Sequence, residues 1–264
     1  MKKSVVLPLY EGTFSVAIDK KFNRIEKSDP PGKGALKLSI NPFLIQTEEK
    51  NILFDAGLGE VLGENTTIET ILENLSEQNV SDYEITDIFI SHLHFDHFGG
   101  LANRENGYWE LTFPDAAIWV SERGWQKLYA LIDEESELHR DFFHFIDSMA
   151  NIQFLSDEIS PIEHVRSRTI GGHTEHHQAL FFNDESLRCL MAGDVIGRRI
   201  SINRNFAAKY DFNPKQSMTA REELKQFACK NEHIILAYHE TDFPMFKLTE
   251  FDNKSGYTVE KIGL

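Results

Sequence analysis

The sequence predicts an α+β protein, with strand-like apolar runs in blocks and helical patterns between and after them. Three observations carry this. Compact apolar runs at 85–90, 187–192 and 234–237 have the length and composition of strands. Apolar residues at Ile68, Ile71, Leu72 and Leu75 repeat at i, i+3, i+4 and i+7, which is the face of a helix. Histidines, aspartates and glycine turns then collect just beyond the apolar runs, at the carboxyl ends where open sheets commonly place ligands.

Element by element, the N-terminal part reads as strands and turns, with a loop by composition at 28–34. Residues 36–47 read as one strand despite Pro42, and 51–54 as a short strand stopped at Asp55-Ala56-Gly57. Thr66 and Glu69 have capping-box spacing ahead of the first helix. Residues 121–150 look helical. Trp125, Leu128, Leu131 and Ile132 lie on one side, and Phe142, Phe143, Phe145 and Ile146 continue the apolar stretch, as core or as a lid over a pocket. Strands follow at 152–154, 164–170, 179–182 and 187–192. Asn213 as cap, Pro214 in the first turn and Gln216 at the third position start another helix, whose inner face is Ala220, Leu224 and Phe227. A buried strand at 234–237 and a strand pair within 246–262, turning at Asn253-Lys254-Ser255-Gly256, complete the chain. No repeat and no composition shift marks a boundary, so 1–264 is expected to be a single domain with a helical insertion at about 121–150.

Composition narrows the partners. The chain has 264 residues, 41% hydrophobic and 26% charged, which is ordinary for a globular protein. Its formal charge of -15 argues against a broad phosphate-backbone interface and against an acidic membrane surface. A small-molecule substrate is the expected partner, with neither nucleic acid nor membrane. Cys189 and Cys229 are not spaced as a metal pair and read as free thiols, which fits a reducing compartment. Met1-Lys2-Lys3-Ser4 imitates the start of a secretory leader, but the apolar stretch after it is short and holds Pro8, so the cytoplasm is the default.

The chemistry concentrates in Ser91-His92-Leu93-His94-Phe95-Asp96-His97-Phe98-Gly99-Gly100. In an extended segment positions i and i+2 point the same way, so His92 and His94 can address one point. Asp96 and His97 follow as the chain turns, within reach of a second, adjacent point. Imidazole and carboxylate suit zinc, iron and manganese, so the run reads as a metal site for two ions. Further candidate ligands sit at Gly172-His173-Thr174, Gly193-Asp194 and His239, each at a turn or beyond an apolar run. His139, His144, His164 and His233 look like ordinary helix, loop or strand residues.

These elements resemble the metallo-β-lactamase fold superfamily of metallohydrolases: HxHxDH at 92–97, GHT at 172–174, GD at 193–194 and a late histidine at 239, in the family's order. The resemblance implies an αββα four-layer sandwich, with two mixed sheets face to face, helices outside and the metal site at one edge. It implies that His92, His94 and His173 bind one metal, that Asp96, His97 and His239 bind a second, and that Asp194 bridges them. The pair would be zinc first, with manganese, iron(II) or cobalt also accommodated. Water activated between them would attack a carbonyl, with Asp96 orienting it and passing a proton to the leaving group.

Asp55 matches the family's Asp-x-Gly turn and reads equally as a hydrogen-bond partner of a ligand histidine or as a plain turn residue. Glu175 and His176 depart from the family's Gly-His-Thr-Pro-Gly-His, and His176 and His177 read as non-ligands, with His177 a contact behind them. His94 stands where flavodiiron-type redox members carry Glu, which favours hydrolysis. The nearest branches by motif are the N-acyl homoserine lactone lactonases and the glyoxalase II thioesterases. Those lactonases carry a substrate-contacting tyrosine shortly after the bridging aspartate; here the stretch is Val195-Ile196-Gly197-Arg198, leaving Tyr210 or Tyr238 as replacements. Phe95 and Phe98 are expected to pack beneath the loop, and Arg198 and Arg199 to be exposed or to meet a substrate carboxylate. The expectation is a hydrolase of a small ester, lactone or thioester. Its rivals are a phosphodiesterase acting on a small phosphodiester and a mono-iron enzyme like the persulfide dioxygenases.

Overall fold

The computed structural model describes residues 3–63, 66–104 and 107–263. Met1 and Lys2 of the basic start lie outside the described residues.

Two mixed sheets are built from the apolar runs. In the six-stranded sheet the order is Val5–Pro8, Phe43–Gln46, Asn51–Phe54, Asp87–Phe89, Ala117–Ser121, Asn151–Leu155, and the last four run parallel. The seven-stranded sheet runs Glu158–Ile162, Val165–Thr169, Gln178–Asn183, Arg188–Met191, Ile234–Leu236, Met245–Asp252, Gly256–Lys261. Its one parallel pairing joins Arg188–Met191 to Ile234–Leu236, so the residues after both strands emerge at the same end.

Successive side chains of a strand face opposite sides of the sheet, which divides the apolar residues among layers. Ile52, Phe54 and Phe89 meet Leu180, Phe182, Cys189, Met191 and Leu236 between the two sheets. Leu53 and Ile88 face outward onto Ile71 and Leu75 of the helix Glu69–Glu77, and onto the helices Glu122–Leu131 and Glu137–Met149 through Trp125, Phe142, Phe143 and Ile146. On the far side Phe181, Leu190 and Ile235 pack against Ala220, Leu224 and Ala228 of the helix Pro214–Lys230. The result is the four-layer αββα arrangement. Both sheet faces are covered, and for that reason their strands read as continuous apolar runs rather than alternating ones. Burying each such Phe or Leu stabilises the fold by about 1.5–3 kcal/mol.

Several local expectations change. Residues 36–47 are not one strand. Pro42, with no N–H to give a ladder, separates Leu36–Ile40 in a small three-stranded sheet from Phe43–Gln46 in the large one. The first helix does not start on a Thr66–Glu69 box. It begins at Glu69, whose N–H bonds the Thr67 hydroxyl, while Thr66 turns its hydroxyl to the Gly63 carbonyl. Asn213 does cap its helix, accepting from the Gln216 N–H at 3.1 Å, with Pro214 in the first turn. The Phe142 and Phe143 rings of the 121–150 region are fully buried in the core, against Trp109 and Trp125. Among the described residues no helix is long and apolar enough to cross a membrane.

Candidate metal centre

Four strand ends and turns deliver the candidate ligands to one edge of the sandwich. His92 and His94 follow Asp87–Phe89, and the chain then turns into the short helix Phe95–Phe98, which lifts Asp96 and His97 beside them. Asp194 follows Arg188–Met191 and His239 follows Ile234–Leu236, the parallel pair. His173 sits on a turn after Val165–Thr169. There Gly172 has φ +93°, and a Cβ on it would come within 2.5 Å of the Ser217 backbone, so the close approach to the last helix needs glycine.

Seven side chains converge. His92, His94, His173 and Asp194 form one candidate group, and Asp96, His97 and His239 another. In the first, His94 Nδ1 lies 3.0 Å from His92 Nε2 and 3.2 Å from His173 Nε2, and Asp194 Oδ2 lies 3.2 Å from His173 Nε2. In the second, Asp194 Oδ1 lies 3.2 Å from His97 Nε2 and 2.9 Å from His239 Nε2. Asp96 Oδ2 closes that group at 3.6 Å from His97 Nε2 and 3.5 Å from His239 Nε2. The two oxygens of Asp194 thus face different groups.

The donor set fits a pair of cations. Ligand atoms about 2.0–2.1 Å from a shared tetrahedral zinc lie roughly 3.4 Å from one another, which is the spacing these atoms keep. Among the described residues the buried His97 Nε2 and Asp194 Oδ1 have no hydrogen-bond partner. Polar atoms are rarely buried unsatisfied, and here the orphaned atoms point at each other across the space a cation would use.

The outward nitrogens of four rings are held by acceptors. Asp55, at φ +60°, accepts from His97 Nδ1 at 2.6 Å, the Ser91 N–H at 2.6 Å and the Ser91 hydroxyl at 2.8 Å. Ser91 Oγ in turn accepts from His92 Nδ1 at 3.1 Å. Asp211 accepts from His173 Nδ1 at 2.9 Å, and the Ser39 carbonyl from His239 Nδ1 at 3.0 Å. Each acceptor fixes the proton on Nδ1 and leaves an Nε2 lone pair facing inward, as ligation requires.

Of the two readings of Asp55, the partner of a ligand-candidate histidine is the one the structure displays. Asp211 was missed. It lies in an irregular stretch, with no apolar run beside it to flag it. His177 stacks on His92 with ring centroids 4.4 Å apart and donates to the Ala192 carbonyl at 3.1 Å, while His176 stands apart beside Glu175. Phe98 is buried in the core, and Phe95 stacks on His139. Tyr238 is fully buried, stacks on His97 and donates its hydroxyl to the Asp96 carbonyl at 2.7 Å, so that hydroxyl is already engaged. Tyr210 is exposed.

Charge is distributed unevenly. Burial, reinforced by the imidazoles of His97, His177 and His94, holds His92 well below the usual histidine range. Burial also opposes charge on His97 and His239, but the carboxylates of Asp96 and Asp194, with Asp55 beside His97, outweigh it and raise both. Burial opposes charge on Asp194 too, yet the His239, His173 and His97 rings hold its carboxyl well below the usual range. His94 is the candidate ligand left open to solvent.

Comparison with known proteins identifies the family and the fold. A family model described as the metallo-beta-lactamase superfamily matches residues 36–239. The chain is 24% identical over 239 residues to an N-acyl homoserine lactonase of Bacillus thuringiensis, covering 80% of this chain and 85% of that one. Among solved structures it is similar to a probable metal-dependent hydrolase from Staphylococcus aureus, with a TM-score of 0.77, 18% identity and 100% of both chains covered. It is also similar to AidC, a dizinc quorum-quenching lactonase solved with a product, with a TM-score of 0.77, 18% identity, and 100% of this chain and 97% of that one covered.

Proposed function

The chain belongs to the metallo-beta-lactamase superfamily, and on that premise we propose that it is a dinuclear metal hydrolase that opens a small lactone, ester or thioester. The observation that carries this reading is Asp194, whose two oxygens each face a separate set of imidazole and carboxylate donors. Lactonase relatives and a dizinc lactonase of the same fold support a lactone as the first substrate class to test.

His92, His94 and His173 would hold one cation, Asp96, His97 and His239 the other, and Asp194 both. Zinc suits the set, and manganese, iron or cobalt would be accommodated. When bound, such a pair lowers the pKa of water and polarises a carbonyl. Asp96 then supplies the proton chemistry, its carboxylate taking a proton from the attacking water and handing it to the leaving oxygen or sulfur. Tyr238 keeps Asp96 in place by gripping its main-chain carbonyl. Asp55, Asp211 and the Ser39 carbonyl prevent the rings from turning over. His94 marks the side from which substrate enters. The free thiols Cys189 and Cys229 suit a reducing cytoplasm.

The test is a hydrolysis panel of N-acyl homoserine lactones, acyl thioesters, β-lactams, a chromogenic phosphodiester and a persulfide, before and after chelation. Chelator-sensitive, metal-restored cleavage of lactone or thioester supports the reading. Turnover confined to the phosphodiester, or oxygen uptake with the persulfide, overturns it.

A further inference from the structure

A pocket of about 410 Å³ is lined by Lys37, Arg198, Arg199, Arg204, Glu240 and Asp242 with Ile200 and Thr241, and Glu240 directly follows the candidate ligand His239 in the chain. Four cationic side chains against two carboxylates is the reverse of the chain as a whole, where 42 Asp and Glu outnumber 27 Lys and Arg. We propose that this pocket is an oxyanion subsite, which takes a carboxylate or phosphate carried by the substrate while its scissile bond lies at the metal centre. This rests on the hydrolase reading for the word substrate, but not for the binding itself.

Position ties the pocket to the site. Glu240 and Thr241 directly follow His239. Arg198 directly follows Gly197, which accepts the His239 N–H at 2.8 Å and on which a Cβ would lie 3.3 Å from the His239 ring. Consecutive Cα atoms are about 3.8 Å apart, so the pocket lining begins one residue beyond His239 on one strand's extension and one residue beyond the glycine that holds the His239 backbone on the other.

The guanidiniums are unspent. Among the described residues none of Arg198, Arg199 and Arg204 has a carboxylate within ion-pair distance, although acidic groups are in excess over the whole chain. Arg199 instead lies over the Phe243 ring at 4.6 Å, which holds it in place without neutralising it. Glu240 uses its carboxylate on the backbone, accepting from the Arg199 N–H at 2.8 Å and the Asp242 N–H at 3.3 Å, so it shapes the turn. Lys37 is anchored by the carbonyls of Lys27 and Asp29. Guanidinium forks match the paired oxygens of carboxylate and phosphate, and the pocket has the volume of a small-ligand site.

Calorimetric titration of the metal-loaded protein with inorganic phosphate and with succinate tests the subsite. The account expects at least one anion to bind, the preferred one naming the group recognised. It expects tenfold or greater weakening in the Arg198→Ala/Arg204→Ala variant, with an Arg198→Lys/Arg204→Lys variant in between. Equal affinity in wild type and the alanine variant, with unchanged thermal unfolding, overturns the subsite even if lactones are hydrolysed. Conversely, a wild-type advantage persists even if every ester is left intact, which separates this failure from that of the hydrolase reading. On a substrate pair differing only in a neutral or anionic tail, the ratio of kcat/KM, anionic over neutral, falls at least tenfold in the alanine variant, chiefly through KM.

Discussion

The two halves of the centre are chemically unlike. The His92–His94–His173 half consists of imidazoles, with Asp194 as the carboxylate among its candidate ligands. The Asp96–His97–His239 half is anionic, and its carboxylates raise the proton affinity of His97 and His239, while burial lowers that of His92. Orientation differs as well. Asp55 reaches both halves, directly through His97 and through Ser91 to His92, whereas Asp211 touches His173 alone. The lesson is that the Asp194 and Asp55 carboxylates join the halves, as does the contact of the His92 and His97 rings with centroids 4.0 Å apart, whereas Asp211 serves one half alone.

Breaking the junction gives the largest effect. Asp194→Asn removes the charge common to both halves. Transition-state stabilisation by metal is worth several kcal/mol, so steady-state kinetics should show kcat reduced by about 10²–10⁴-fold. A loss under tenfold would show that the halves work independently. Next, Asp55→Asn should weaken retention of both cations by about 10–100-fold in chelator competition, and Asp211→Asn should weaken only one by about tenfold. Equal effects from the two variants would erase the asymmetry.

Glu11 sharpens the comparison behind the anionic half, where its field acts on Tyr238. It is buried, and among the described residues Oε1 has no partner and Oε2 accepts from the Leu58 N–H at 3.2 Å. Burial pushes its carboxyl up from 4.5 to about 8, so the folded protein prefers it protonated. The unfolded chain ionises first. Stability from this group is therefore full below pH 4.5 and is lost as pH rises toward 8, at about 1.4 kcal/mol per pH unit and a few kcal/mol in all. Urea unfolding of Glu11→Gln between pH 5 and 8 should lack that decline; a slope identical to wild type would refute it. The smallest effect belongs to Tyr238→Phe, which deletes one hydrogen bond to Asp96, about 1 kcal/mol by urea unfolding, with kcat lowered several-fold.

Legibility in the sequence followed locality. The residues of the two groups are readable because each stands at the end of an apolar run or on a glycine turn, and the α+β class because apolar runs come in blocks with helical patterns between and after them, while the four layers follow only from the family resemblance. Asp55 was half legible, since an aspartate in a turn has a local role as well as a distant one. Asp211, the Ser39 carbonyl and Glu11 were not legible. Their partners lie 38, 200 and 47 residues away, and no spacing encodes such contacts. In the sequence Pro42 reads as an interruption within one strand, whereas it separates strands of two sheets. The missing N–H is what sends the chain from one sheet to another. Tyr238, named with Tyr210 as a replacement for the substrate-contacting tyrosine, does lie beside His97, but its hydroxyl is given to the Asp96 carbonyl, and a sequence does not say where a hydroxyl points.

The central claim is that one aspartate joins two cation sites. Metal content per chain after saturation and gel filtration, measured by elemental analysis for wild type and Asp194→Asn, tests it most directly. The account predicts close to two cations for wild type and one or fewer for the variant. A saturated wild type holding a single cation, or a variant that retains both, would contradict it.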